Sequence, residues 1–198
     1  MGKLLYTGSL LFLLVITQGL YAQNYEVTIV GPGNVKINGS SNINHFSLVY
    51  KKPVAGKRTI TFSAVENNRI PLKGDTRIAL EVYSFSSSQN MITRDFKKML
   101  KSDIYPFINI ELSRIIQNRD NPSRSNVMAI LTIANTKRLE VLPVRITMVN
   151  SNTYTLVSSH KISLKNYNLE PPKKVMGMVS VNDVVSIDLS LTVQYKKV

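Results

Sequence analysis

Two histidines are the side chains of this chain best suited to move a proton near neutral pH: His45 in "NINHF" and His160 in "SSHKI". As general bases they would need a nucleophile held beside them, yet no G-x-S-x-G or comparable nucleophile turn occurs. As metal ligands they would need partners at ligand spacing, and neither has one nearby. The 12 acidic residues are scattered and form no paired-carboxylate motif. "GPGNV", at Gly31 to Val35, is a glycine turn and not a phosphate cradle, because no Gly-Lys-Ser/Thr follows and no helix opens there. Cysteine is absent, which excludes disulfides, thiolate metal sites, a cysteine nucleophile and a lipid-modified N-terminal Cys. A His-dependent hydrolase, with His45 or His160 pairing a serine across the fold, is the most that catalysis can claim. The plainer reading is two satisfied or solvated histidines in a protein that is not an enzyme and has no cofactor or metal.

What remains is material for binding. The chain has 7 Met, 6 Phe and 9 Tyr and no Trp. Methionine lets an apolar wall adapt to an irregular ligand, although the same residues also build ordinary cores. The formal charge of +13 attracts anions: nucleic acid, phospholipid surfaces or phosphorylated small molecules. The lysines and arginines fall in scattered pairs, such as Lys57–Arg58 and Lys137–Arg138, which suits solubilising turns better than a binding stripe.

The elements that must position these residues are strands. In "VVSIDLSLTVQY", Val185, Ile187, Leu189, Leu191, Val193 and Tyr195 share one face, and Ser186, Asp188, Ser190, Thr192 and Gln194 share the other. The same alternation puts Leu142, Val144, Ile146 and Met148 together. It does so too for Ile60, Phe62 and Ala64, for Ile78, Leu80 and Val82, for Ile108, Ile110 and Leu112, and for Tyr154, Leu156, Ile162 and Leu164. Turn signals stand at Gly31–Pro32–Gly33, Asn67–Asn68, Asn121–Pro122 and Asn150 to Asn152. Eight to ten amphipathic strands must hide one face and their edges, and closing into an antiparallel barrel does both.

One segment breaks the pattern. "RDFKKMLKSDIYPF" reads as a short basic helix near residues 91–101, stopped before Pro106. Ile92, Phe96, Met99 and Leu100 cluster on one side of its wheel, and Arg94, Lys97, Lys98 and Lys101 on the other. Asn90 or Thr93 could cap its start, and Asp95 suits a first turn. Such a helix lies across one open end of a barrel as a lid, or is an ordinary surface helix with a solvated basic side.

Residues 1–22 carry Lys3, the apolar run "LLFLLVITQGLYA" and a small residue, Ala22, as a cleaved secretory signal does. Residues 23–198 then form one domain of about 176 residues, large enough for a sizeable core without disulfides. Export to the periplasm or beyond makes nucleic acid the least fitting anion.

Four stretches, in order, resemble the YceI-like family of secreted bacterial lipid-binding proteins. They are "INGSSNINHFSLVYKK", "MITRDFKKMLKSDIYPFINIEL", "LTIANTKRLEVLPV" and "ISLKNYNLEPPKKVMGMVSVNDVVSIDLSLTV". Asn135 stands where that family commonly has a turn Gly, "KNYNL" replaces an Asp-aromatic-Gly pattern, and Phe46 stands where Trp is frequent. The resemblance implies an all-β, lipocalin-like antiparallel barrel of about eight strands. It also implies a long apolar cavity, a polyisoprenoid or other long-chain lipid ligand, and no known catalysis. On that expectation Phe46, Phe62, Phe96, Met99, Leu100, Met148, Tyr154 and Tyr167 line the cavity. Ser41, Asn42, Lys173 and Lys174 meet a head group, and Arg94, Lys97, Lys98 and Lys101 make transient contact with an anionic membrane. The alternative is a stress-related structural or interaction protein whose barrel is filled by side chains.

The leader reading has a direct test. N-terminal sequencing of the exported protein is expected to begin at or near Gln23, and an intact Met1 on soluble cytoplasmic protein would overturn it.

Overall fold

The structure is a computed structural model, and it describes residues 23–174 and 179–198. The expected leader, residues 1–22, lies outside the described residues. The strands are β1 (Gln23–Ser40), β2 (His45–Tyr50), β3 (Gly56–Phe62), β4 (Arg69–Gly74), β5 (Arg77–Glu81) and β6 (Phe85–Ser86), followed by β7 (Phe107–Ile116), β8 (Arg124–Ile133), β9 (Thr136–Asn150) and β10 (Thr153–Ser163). The short pair β11 (Lys173–Lys174) and β12 (Val179–Ser180) and the long β13 (Val184–Lys197) complete them. Helix α1 (Asn90–Met99) sits between β6 and β7.

The ring runs β1, β3, β4, β7, β8, β9, β10, β13 and back to β1, antiparallel throughout. β5 continues the course of β4 along β7, so the two act as one stave of a closed eight-stranded barrel. Closure rests on β1 and β13, whose register runs from Tyr25 opposite Lys197 to Asn38 opposite Ser186.

The alternation sets what faces inward. Val35, Ile37, Ile78, Leu80, Ile108, Ile110, Leu131, Ile162, Val185 and Leu191 are all buried in one core. On the outer face Asp188 accepts from Asn38 Nδ2 at 2.6 Å and from Ser159 Oγ at 2.6 Å, tying three neighbouring strands. The turns use asparagine where glycine would serve. Asn67 and Asn68 have φ of 48° and 62°, Ala134 and Asn135 of 44° and 65°, and Asn168 of 56°. Asparagine tolerates this left-handed region, so the turns form without the expected glycines.

Gly31–Pro32–Gly33 is not a chain-reversing turn. β1 runs through it with a register shift between Val30 and Asn34. A bulge bends and twists a strand. Here it lets the first half of β1 pair with β3 while the second half pairs with β2. β2 in turn carries β6, and the chain proceeds from there into α1 at this end of the barrel.

β9 and β10 part company halfway. Their ladder runs from Thr153 opposite Asn150 to Ser158 opposite Val144 and stops. The wedge beyond is filled by the 3-10 turn Leu164–Tyr167 and by side chains. Glu140 accepts from the Tyr167 hydroxyl at 2.7 Å and bonds His160 Nε2 at 2.8 Å, while Arg138 Nε donates to the Asn166 carbonyl at 2.8 Å. Burial first, then the Glu140 bond, pushes the Tyr167 phenol far above its usual pKa, so it stays a donor. Tyr167 is 1% exposed, and removal of its acceptor leaves a buried hydroxyl unpaired. Glu140→Ala is expected to lower stability by about 2–3 kcal/mol in urea denaturation, and exposed Glu111→Ala by less than about 0.5. Equal effects would mean that the wedge holds without Glu140.

Candidate functional site

Helix α1 is placed by its two faces and its C-terminal cap. Lys101 has φ of 51° and ends the helix. Its N–H bonds the Lys98 carbonyl at 3.1 Å, and the Ser102 N–H bonds the Lys97 carbonyl at 3.1 Å, the Schellman pattern. The N-cap is Gln89, without a side-chain cap bond, rather than Asn90 or Thr93. Thr93 Oγ1 instead accepts from the Ser87 N–H at 2.9 Å, and Asp95 falls beyond the first turn. Phe96 docks on Phe85 with ring centroids 5.5 Å apart, which anchors the helix to β6.

Beneath the helix lies an apolar chamber of ≈ 190 Å³. Ile92, Phe96, Met99 and Leu100 form its helix side, and Phe46, Leu48, Ile108, Ile133, Ile162 and Ile187 line it from the barrel. Gly39 makes room for Phe46: a Cβ there would stand 2.4 Å from the phenyl ring. Ile43 and Met91 belong to the same lining yet are 66% and 53% exposed, so they form an apolar lip. His45, Phe46 and Gln89 are shared with an outer polar groove that also holds Lys36, Lys51, Ser86, Ser87 and Ser88.

A second chamber, ≈ 160 Å³, occupies the other end. Tyr25, Phe62, Tyr154 and Tyr195 pack edge-on or stacked at 5.2 to 5.9 Å within its wall. Burial, with the nearby Tyr195, pushes the Tyr154 phenol up to about 12. The two chambers do not join. On β1, Ile29 lines one and Ile37 the other, with buried Val35 between. Ile110 on β7, Leu131 on β8 and Leu189 on β13 hold the same intermediate level. The long single cavity that the resemblance implies is thus interrupted, because large aliphatic side chains from facing strands meet at mid-height.

The expected lining residues divide accordingly. Phe46, Phe96, Met99 and Leu100 line the helix-capped chamber, and Phe62 and Tyr154 line the other. Met148 does neither: it is 43% exposed at the end of β9, next to a register shift between Thr153 and Tyr154. Tyr167 fills the wall beside Glu140 and lines neither chamber. Ser41 borders the helix-capped chamber, but its Oγ accepts from the Asn44 N–H at 3.0 Å, and Asn42 Oδ1 accepts from the Ser180 N–H at 3.1 Å. Ser41 Oγ is thus engaged within its own turn, and Asn42 Oδ1 on β12. Lys173 and Lys174 form β11 against β12. Arg94, Lys98 and Lys101 are exposed, whereas Lys97 is half-buried with Nζ 5.0 Å from the centre of the Tyr83 ring, so it is not simply solvated.

The histidines are far apart in role. His45 is exposed at the chamber rim, and His160 is held in the wall by Glu140. Among the described residues no hydroxyl hydrogen-bonds either ring, and no three of His, Asp and Glu gather as metal ligands. Sequence reasoning missed Glu140 and Arg58, although both stand on the apolar phase of their strands, in step with Leu142 and with Ile60.

An antiparallel barrel lidded by one helix is therefore the scaffold. It has the fold of YceI-like proteins. BcnA of Burkholderia cenocepacia superposes with a TM-score of 0.62 at 19% identity, over 81% of this chain and 95% of its own. A polyisoprenoid binding domain from Saccharophagus degradans, implicated in plant cell wall breakdown, gives 0.58 at 7% identity, over 87% and 98%. The YceI protein of Campylobacter jejuni gives 0.50 at 12%, over 65% and 72%. None of the three bears the name of an enzyme. No family model and no curated protein matches the sequence.

The helix-capped chamber has a simple test. Phe96→Asp is expected to weaken binding of an apolar fluorescent probe at least about tenfold, because a charge against an apolar wall costs several kcal/mol. Lys98→Glu is expected to leave it unchanged, with circular dichroism confirming that both fold. Equal loss would mean that the probe binds outside this chamber.

Proposed function

We propose that this protein is an exported, non-enzymatic carrier that shields a polyisoprenoid or other long-chain lipid. The observation that carries the reading is the apolar chamber under α1, with its exposed lip of Ile43 and Met91. The likeness in fold to a polyisoprenoid binding domain supports it. Each five-carbon unit buried would contribute about 2–4 kcal/mol of gross transfer free energy before ordering costs, so affinity needs no special chemistry. A chamber of ≈ 190 Å³ compares with about 150 Å³ for a cavity that takes benzene, so a longer chain must displace the mid-barrel side chains or extend past the lip.

A polar or anionic head group fits the outer groove of Lys36, Lys51 and Ser86 to Ser88 better than Ser41 and Asn42, whose polar atoms are engaged. The lip and the exposed Arg94, Lys98 and Lys101 suit brief docking on an anionic bilayer, each cation contributing about 1 kcal/mol near the surface. The partition between the chambers favours a second reading, a side-chain-filled barrel that acts as a structural or interaction protein.

Native mass spectrometry of gently purified protein separates the two. A co-purifying apolar chain is expected. A clean apo mass, with no uptake of geranylgeranyl-type probes, would favour the second reading. In a liposome transfer assay, reversing Arg94, Lys98 and Lys101 to Glu is expected to slow uptake from anionic vesicles at low salt. The gap should close at high salt, since screening shortens to about 8 Å near physiological ionic strength. An unchanged rate at low salt would reduce the basic side to a solubilising surface.

A further inference from the structure

The chamber opposite the helix has an unexplained hydrogen-bond donor in its wall. Among the described residues, Arg58 Nε, Arg114 Nε and Gln117 Nε2 are buried without a hydrogen-bond partner. Of the three side chains, Arg58 is the one that lines either chamber. It stands in phase with Ile60 and Phe62 on β3, opposite Val27 of β1, and all four line the same space. Its side chain is only 19% exposed. Nη1 donates to both carboxylate oxygens of Asp75, at 3.1 and 3.2 Å, and Asp75 itself is 54% exposed. That leaves Nε and Nη2. This side-on edge of a guanidinium takes a carboxylate or phosphate through two parallel bonds.

The backbone holds this arrangement in place. Gly74 has φ of +89°, and a Cβ there would stand 2.4 Å from the Thr59 carbonyl oxygen. With no Cβ, the chain passes close to β3, the Asp75 N–H bonds the Thr59 carbonyl at 3.0 Å, and the carboxylate reaches Nη1 from outside. Asp75 therefore balances the charge from the surface through Nη1 and leaves Nε without an acceptor. A buried cationic donor with no acceptor is costly, and native structures seldom retain one without an occupant that satisfies it. The remaining wall is almost wholly apolar, with Val27, Ile60, Leu72, Ile78, Leu112 and Leu191 contributing.

We propose that this chamber is a second ligand site, for a single-chain amphiphile with an anionic head. The head's oxygens accept from Arg58 Nε and Nη2, and a short apolar tail lies along the wall towards Tyr25, Phe62, Tyr154 and Tyr195. The space of ≈ 160 Å³ suits a tail of few carbons, by comparison with about 150 Å³ for a cavity that holds benzene. The site stands on this chamber alone and does not rest on the lipid reading of the helix-capped one.

The test uses the mature full-length protein with octanoate, octyl phosphate, 1-octanol, acetate and inorganic phosphate as probes, read by calorimetry and by the Arg58 Nε–H resonance. Octanoate or octyl phosphate is expected to bind at least tenfold more tightly than 1-octanol, to displace the Nε–H resonance, and to leave probe binding under α1 untouched. Arg58→Gln should abolish the preference while 1-octanol binding persists. Asp75→Asn, at a half-exposed position that spares the core, should tighten octanoate several-fold without affecting 1-octanol. Equal affinity for octanoate and 1-octanol would overturn the proposal, because the edge would then be satisfied by water. Acetate or inorganic phosphate binding as tightly as the octyl probes would overturn it as well, because the apolar wall would then play no part.

Discussion

The ladder between β1 and β13 is the constraint on which the rest depends. An amphipathic sheet must bury one face, and an open sheet leaves two edges ready to pair with other chains. Joining the first strand to the last removes both liabilities at once. It also commits every strand to presenting its apolar phase to a lumen of fixed width. Polar residues on the other phase then find each other across neighbouring strands, as Asn38, Asp188 and Ser159 do.

Closure creates a lumen but does not decide how much of it stays empty. At mid-height Val35, Leu80, Ile110 and Leu131 fill it, and at either end it opens into a chamber. The ends differ for local reasons. At one, the bulge in β1 transfers pairing from β3 to β2, and α1 lies against the β6 that β2 carries. At the other, tyrosines and a phenylalanine pack against each other in the wall. Binding capacity is thus a matter of where large side chains stop, and one barrel can carry sites of different character at its two ends.

The polar groups inside follow a second rule. Glu140, His160 and Arg58 all sit on the inward phase of otherwise apolar strands. Glu140 and His160 stand where β9 and β10 separate, and they replace the missing ladder with side-chain bonds. Arg58 stands near the seam where β3 has lost β4 and leans on Asp75. Breaks in the backbone pairing are where polar side chains enter the wall, since an unpaired edge needs donors and acceptors.

Much of the fold was legible in the sequence. The faces of β13, β7 and β10, and the apolar side of α1, could be read directly because side-chain period depends only on local backbone geometry. The left-handed turns at Asn67–Asn68 and near Asn135 are similarly local. Glu140, His160 and Arg58 were also visible as polar residues on an apolar phase, but their partners were not. Glu140 lies 20 residues from His160 and 27 from Tyr167, and Arg58 lies 17 from Asp75. Those separations are bridged only once β3 folds back on β4 and β9 on β10. The partition is the clearest case: each of its aliphatic residues reads as ordinary core in its own strand. Whether they meet or leave a channel depends on strand tilt and register around the whole barrel. Sequence by itself determined which face of each element is apolar, since that is fixed within a few residues. Only the tertiary structure decided where the lumen is open, because a void is defined by side chains from all sides at once.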